Sequence, residues 1–78
     1  MIADLRKLTG QRALIEFSDG EVVVAVILKV DPDEHEDITF DVETVRRAVR
    51  ATPYEKRNVY VAPIRDLRSV RAADGGVP

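Results

Sequence analysis

Hydrophobic and polar positions along the chain predict one short helix followed by five strands. In residues 1–8, the apolar residues Ile2, Leu5 and Leu8 recur at every third position. This spacing forms one apolar stripe of a helix, which is too short to be stable alone and is expected to lie on another apolar surface of the fold. Gly10 follows as a residue that readily adopts the left-handed conformation with which helices end.

The clearest turn signal is Asp19-Gly20, which stands between two apolar segments. This dipeptide predicts a β-hairpin with a two-residue type I′ loop, in which both loop residues have positive φ. The preceding strand, residues 11–17, alternates apolar and polar residues. The following strand, residues 21–30, has only apolar residues from 22 to 28, so it is predicted to be central and covered on both faces.

Alternation continues in the second half of the chain, with one ambiguous stretch. Residues 43–52 admit two interpretations, a helical turn or an extended arm, and Pro53 ends either one. On the fourth strand, Val59 and Val61 face one way and Tyr60 faces the other. The remaining predicted strands are residues 38–42, 58–62 and 67–72, and residues 73–78 form a predicted flexible tail.

The 78 residues predict a single domain with one small core. A core of this size supplies only ~3–5 kcal/mol, so small folds add disulfides, a metal or self-association. Cysteine is absent, which excludes disulfides and thiolate metal sites and leaves self-association as the expected supplement. No leader-like or membrane-spanning apolar segment is visible, so the chain is predicted to be cytoplasmic and to have no membrane contact.

The net charge of −2 conceals an acidic segment, residues 31–43, and a basic arm, residues 45–57. The basic arm is interpreted as a solvated arm that pairs with Asp41 and Glu43, or as a patch for nucleic acid or an acidic partner. The acids of the first segment are Asp31, Asp33, Glu34, Glu36, Asp37, Asp41 and Glu43, and the cations of the arm are Arg46, Arg47, Arg50, Lys56 and Arg57.

Catalytic and metal-binding chemistry finds little support in the sequence. The acidic segment and His35 could offer oxygen and nitrogen ligands to a cation, but a solvated loop is the preferred interpretation. Ser18 and Ser69 have no nucleophile elbow or triad context, and the chain has no glycine loop that would cradle a phosphate. We therefore predict a protein that is not an enzyme and that has no catalytic residues, metal or cofactor.

The helix, the five strands and the early Asp-Gly hairpin resemble the Sm-like family. In that family, alternating apolar residues precede Asp-Gly, and a later Gly, an apolar residue and an Asp complete the motif. The matching residues here are Ala13, Ile15, Phe17, Asp19, Gly20, Ile27 and Asp31, with Ala25 in place of the Gly. The resemblance implies a mainly β fold, an SH3-like five-stranded small barrel with one N-terminal helix.

The resemblance also has implications for RNA binding and for contacts between subunits. In the family, an Asn that reads a base follows that Asp. Counting forward from Asp31 places His35 at this position, whereas counting back from Ile38 and Phe40 places Asp37 there. Ala62-Pro63 replaces a second motif, Arg-Gly, so both halves of the base pocket differ. In the family, the fourth strand of one subunit joins the fifth strand of the next. The interface residues implied here are Asn58, Val59, Tyr60, Val61, Ala62, Leu67, Arg68, Ser69, Val70 and Arg71.

Two functional hypotheses follow for this chain. The first is a non-enzymatic assembly module that forms a homo-oligomeric ring and holds another protein or has a purely structural role. The alternative is a protein that binds RNA weakly, with phosphates held by the basic arm. Its RNA-binding residues are expected to be His35, Asp37, Arg46, Arg47 and Arg50.

Overall fold

The chain forms a mainly β domain with a single short helix, seen in a computed structural model that describes residues 2–73, with side chains from residue 5 onward. All strand pairs are antiparallel. In chain order the elements are α1 (Ile2–Lys7), β1 (Arg12–Phe17), β2 (Val22–Asp31), β3 (Asp37–Arg47), β4 (Val59–Pro63), a 3-10 turn (Ile64–Asp66) and β5 (Leu67–Ala72).

The five strands form one sheet in the order β4-β3-β2-β1-β5. Its two end strands are joined by the three-residue 3-10 turn, so the sheet curls until its ends come close together. The bend has a local cause, because the pairing of β2 with β3 shifts register three times. The extra residues are Leu28 on β2 and Glu43 and Arg46 on β3, and such bulges bend and twist the strand that carries them.

The inner face of the curled sheet encloses the core. Leu5 is fully buried in this core, so α1 covers the sheet as its apolar stripe predicts. Gly10 has φ +84°, and its N–H donates to the carbonyl of Ile27, so it ends the helical segment as predicted. The buried core residues are Leu5, Ala13, Ile15, Phe17, Val23, Ala25, Ile27, Ile38, Phe40, Val42, Ala62 and Leu67.

The hairpin between β1 and β2 lies where it is predicted, but its turn type is different. The loop has three residues, 18–20, closed by a hydrogen bond from the Phe17 N–H to the Glu21 carbonyl at 2.9 Å. Only Gly20 has a positive φ in this loop, +99°, so the prediction of a type I′ loop was wrong. Asp19 instead accepts the Glu21 N–H through Oδ1 at 3.0 Å, a local bond typical of Asp in turns.

Strand β2 is central, as predicted, but only one of its faces is fully covered. On the outer face Val24 is buried, whereas Val22 and Val26 are half-buried and Leu28 is 47% exposed. The expectation that both faces are covered is therefore only partly correct. The continuous apolar stretch leaves an apolar surface on the outside of the sheet.

Of the two interpretations of residues 43–52, the extended one is correct as far as Arg47, where β3 ends. Thr44 and Val45 pair with Val24 and Val23 of β2, and this pairing overrides the helix-like spacing of the valines. Strand ends agree with the predicted ranges to within one residue, apart from the extension of β3 to residues 37–47. Of the predicted tail, Ala73 donates its N–H to the Arg12 carbonyl at 3.0 Å, and residues 74–78 lie outside the described residues.

Candidate functional site

Two strand edges have no neighbour within residues 2–73, because β4 and β5 stand at the two ends of the strand order. The predicted interface residues fall on or beside these two strands, with Asn58 immediately before β4. Open strand edges present unpaired backbone N–H and C=O groups, which either need protection or recruit another strand. The outward groups of each edge can be identified from the hydrogen bonds around it.

On β4, every second residue turns its backbone groups toward the open edge. At one end of the ladder the Asn58 carbonyl accepts the Val42 N–H at 3.0 Å, and at the other the Glu36 carbonyl accepts the Ile64 N–H at 2.8 Å. Antiparallel bonds alternate along a strand, so residues 58, 60, 62 and 64 of this segment face β3. The backbone of Val61 therefore faces the open edge.

The side chains of β4 make this edge apolar. Val59 is 55% exposed and Val61 is 62% exposed, while Tyr60 and Ala62 lie on the core side. Pro63 has no backbone N–H, but at this position an N–H would face the open edge. The pairing of β4 with β3 therefore loses no hydrogen bond. No charge or proline interrupts the middle of β4, and the edge therefore lacks the usual protection against pairing.

On β5, the same alternation identifies the outward residues. Ala73 donates its N–H to the Arg12 carbonyl at 3.0 Å, so Arg71, two residues earlier, also bonds to β1. The backbone groups of Val70 and Ala72 accordingly face the open edge. Strands β4 and β5 thus offer two different edges of comparable length.

The outer face of the sheet carries a groove of about 330 Å³ that crosses β3, β2, β1 and β5. Its floor is apolar, because Leu14 and Val22 are half-buried outer-face residues of β1 and β2. We call this feature the arginine groove, and its lining residues are Leu14, Glu16, Val22, Arg46, Arg47, Ser69 and Arg71.

The three cations of the arginine groove have no carboxylate within ion-pair distance in the part of the chain that the structure describes. Two other arginines of the same face are paired. Arg12 donates to Glu43 at 2.8 and 3.0 Å, and Arg68 donates to Glu16 at 3.3 Å. The interpretation of the basic arm as paired with Asp41 and Glu43 was therefore wrong, since Glu43 binds Arg12 across the sheet.

Arg50 has a different role from the other cations of the basic arm. It donates to Asp19 Oδ2 at 2.5 Å, and its guanidinium carbon lies 4.5 Å from the centre of the Tyr54 ring and 5.0 Å from that of Phe17. The bond from Arg50, together with the Glu21 N–H, holds the pKa of the Asp19 carboxyl below its usual value. Arg50 therefore fastens the β3–β4 loop to the hairpin.

The buried Glu21 is a residue whose role the sequence analysis missed. Its Oε1 accepts the N–H groups of Val49 at 2.7 Å and Arg50 at 3.2 Å, while Oε2 has no hydrogen-bond partner among the described residues. The alternation of side chains along β2 could have revealed this role. Glu21 is separated from Val23 and Ala25 by even numbers of residues, so its side chain faces inward like theirs. Because both of its hydrogen bonds come from backbone N–H groups of the loop between β3 and β4, Glu21 anchors that loop.

In the acidic segment, three potential ligand residues come together. Possible ligand atoms of Asp31, Glu34 and His35 lie within 4.8 Å of one another, at the end of β2 and on the loop that follows it. His35 Nδ1 lies 2.9 Å from Asp31 Oδ2, and the Glu34 N–H donates to Asp31 Oδ1 at 3.1 Å. These two bonds lower the pKa of Asp31 to about 2. The absence of a metal site stays a prediction.

The structure does not gather the residues expected to bind RNA. His35 lies in the loop before β3 and Asp37 begins this strand, whereas Arg46 and Arg47 lie at its other end. Arg50 is engaged with Asp19. Sequence reasoning did not associate Arg71 of β5 with the basic arm, because only the sheet register brings it to the same groove.

No family model, curated protein or solved structure matches this chain. Across residues 2–73 there is no helix with the length and apolarity needed to cross a membrane. The fold is therefore described by its own geometry: a small, mainly β domain of five antiparallel strands in one sheet.

Proposed function

We propose that this protein is a non-enzymatic assembly module, an Sm-like small barrel whose copies join into a homo-oligomeric ring. In this proposal β4 of one copy pairs with β5 of the next. The single observation that carries it is the open β4 edge, where Val59 and Val61 are more than half exposed and no charge or proline interrupts the strand. Pairing with another copy would satisfy its outward backbone groups.

The two open edges also favour a closed ring over a symmetric dimer. A contact between β4 and β5 joins two different surfaces, so it leaves one copy with a free β5 edge and the other with a free β4 edge. Such head-to-tail contacts close into a ring when the rotation between neighbours allows it. The strand order, with β4 and β5 at opposite ends, supports the Sm-like proposal because that family uses the same two strands.

RNA binding through the basic arm is the weaker alternative. Arg50, one of its expected phosphate ligands, already binds Asp19 and stacks on Tyr54. The remaining expected residues are divided, with His35 and Asp37 at or before the start of β3 and Arg46 and Arg47 at its end. A phosphate backbone would therefore meet only two cations of the proposed set, Arg46 and Arg47, at one end of the strand.

The test is the solution mass of the parent chain and of two variants at Val61. Light scattering at ~100 μM, a concentration at which a specific interface should be occupied, is expected to report several subunits. Val61→Pro removes an outward donor that makes no bond to β3, so it should release smaller species that keep their β-sheet circular dichroism spectrum. The matched control, Val61→Thr, keeps the N–H and the β-branched shape, and it should remain assembled.

A parent chain that is monomeric at this concentration would contradict the ring. Assembly that survives in Val61→Pro, with the fold intact, would place the contact elsewhere than on the β4 edge.

A further inference from the structure

We propose that the arginine groove is a docking site for an acidic peptide segment of a partner protein, with an aliphatic side chain of that segment on the groove floor. This inference rests on the outer-face side chains of the sheet, to which β5 contributes Ser69 and Arg71. It concerns a surface distinct from the open backbone edges of β4 and β5.

The first observation is that three arginines of this face have no ion-pair partner among the described residues. Five arginines are placed on the outer face, and the structure pairs Arg12 with Glu43 and Arg68 with Glu16. The other three, Arg46, Arg47 and Arg71, are exposed and converge on one groove without an ion-pair partner among residues 2–73. Guanidinium groups match carboxylates in a bidentate geometry, so three of them can hold two or more carboxylates of a ligand.

The second observation is that the floor and the dimensions of the groove suit a short extended peptide. Leu14 and Val22 give it an apolar base, which suits an aliphatic side chain between the carboxylates. Four neighbouring strands span about 14 Å at ~4.8 Å per strand, which is the length of about four residues of extended peptide. A volume of about 330 Å³ lies at the small end of ligand sites, which span roughly 300–1,000 Å³.

The position of the aromatic residues favours a peptide over a nucleic acid. The chain has two Phe, two Tyr and no Trp, and these four rings pack against one another. None of them lines the arginine groove. Single-stranded nucleic acids are generally held by bases stacked on rings as well as by phosphate contacts, so the groove lacks half of such a site.

Carboxylates on the same face limit the extent of the positive field around the groove. Glu16 lines the groove and is held by Arg68 and by a weak bond from Ser69 Oγ at 3.4 Å. Farther along the same face, the Arg12–Glu43 pair presents a second carboxylate. The positive field is therefore local, and a long polyanion would also meet these acids.

The test uses fluorescence anisotropy with short labelled probes. The first probe is a peptide with a Leu between two Asp-Glu pairs. In the second peptide the acids are replaced by Asn and Gln, and in the third the Leu is replaced by Gly. A labelled uridine oligonucleotide is the fourth probe. The groove variant is Arg46→Gln, Arg47→Gln and Arg71→Gln together, and the control variant is Lys29→Gln, Lys56→Gln and Arg65→Gln.

Both variants lose three positive charges at exposed positions, so the total charge removed is the same. We expect the acidic peptide to bind the parent chain and the groove variant to weaken that binding at least about tenfold, with less than about twofold loss in the control. Both substituted peptides should bind more weakly than the first. If the triple groove variant does not fold, Arg71→Gln alone, compared with Arg65→Gln, makes the same comparison.

Three outcomes would overturn the inference. In the first, the acidic peptide does not bind the parent chain. In the second, both variants lose affinity for the peptide equally, which would reveal only non-specific charge attraction. In the third, the uridine oligonucleotide binds more tightly than the peptide and loses affinity in the groove variant, which would make the groove a nucleic-acid site.

Discussion

The buried carboxylate of Glu21 accepts the backbone N–H of Val49 at 2.7 Å and thereby ties the β3–β4 loop to the start of β2. The neighbouring N–H of Arg50 donates to the same oxygen at 3.2 Å. Arg50 then closes the connection from the other side by binding Asp19 in the hairpin. A loop without regular structure is in this way held by one acid and one cation at a single place.

Replacement of Glu21 by Ala should destabilise the protein by about 2–3 kcal/mol, because two backbone donors lose their acceptor. Glu21→Gln keeps one carbonyl oxygen and should cost less. Urea unfolding followed by circular dichroism measures both values. A Glu21→Ala variant as stable as the parent would show that the loop is held by Arg50 and the rings alone.

Replacement of Gly20 by Val should cost about 1–3 kcal/mol, because φ at this position is +99° and a β-branched residue tolerates that region poorly. A Cβ here would meet the Val49 methyl groups at 3.8 and 3.9 Å, which is ordinary contact, so the cost is expected from the backbone. Gly20→Asn should lose less, since Asn tolerates positive φ better. Equal losses in thermal melts of the two variants would refute the backbone explanation.

The Asp31 carboxyl should make stability depend on pH in the acid range. Its pKa falls from the ordinary 3.8 to about 2 on folding, because His35 and the Glu34 N–H bind the ionised form. A lowered pKa in the folded state gives stability that is present above about pH 4 and disappears as the pH falls toward 2. The difference in urea midpoint between the parent and Asp31→Asn should therefore shrink from pH 5 to pH 2. A difference independent of pH would argue against the assignment.

The cluster of Asp31, Glu34 and His35 is predicted to bind no metal tightly. Asp31 is already bonded to both neighbours, and its loop is exposed, so a cation would have to displace existing bonds. Calorimetry with calcium, magnesium, manganese and zinc should give no dissociation constant below about 1 mM. A stoichiometric micromolar isotherm that is lost in Asp31→Asn with His35→Ala would show that the cluster is a metal site after all.

The proposed ring makes a specific prediction for mixtures of edge variants. Val61→Pro blocks the β4 edge and leaves β5 open, whereas Ala72→Pro blocks an outward donor on β5 and leaves β4 open. Each variant alone should give mainly monomers, and an equal mixture should give a one-to-one dimer in native mass spectrometry. This result follows because a head-to-tail contact needs one edge of each kind. Stable homodimers of Ala72→Pro alone would indicate pairing of β4 with β4.

Several elements could be predicted from the sequence because their signals are local. The alternation of Ala13, Ile15 and Phe17 places β1 and its buried face, and Gly20 marks the hairpin even though the loop is one residue longer than expected. The bounds of β5, Leu67–Ala72, also agree with the predicted range of residues 67–72. In each case a residue and its near neighbours carry the constraint.

The partners of the charged residues were decided only by the tertiary structure. Glu43 binds Arg12, 31 residues away, instead of the nearby basic arm, and Arg68 binds Glu16, 52 residues away. The composition of the arginine groove has the same origin, because the strand order brings β5 beside β1 and so places Arg71 near the end of β3. Bulges shift the register between β2 and β3, and strand register decides which side chains share a face, so no local pattern could reveal these pairs.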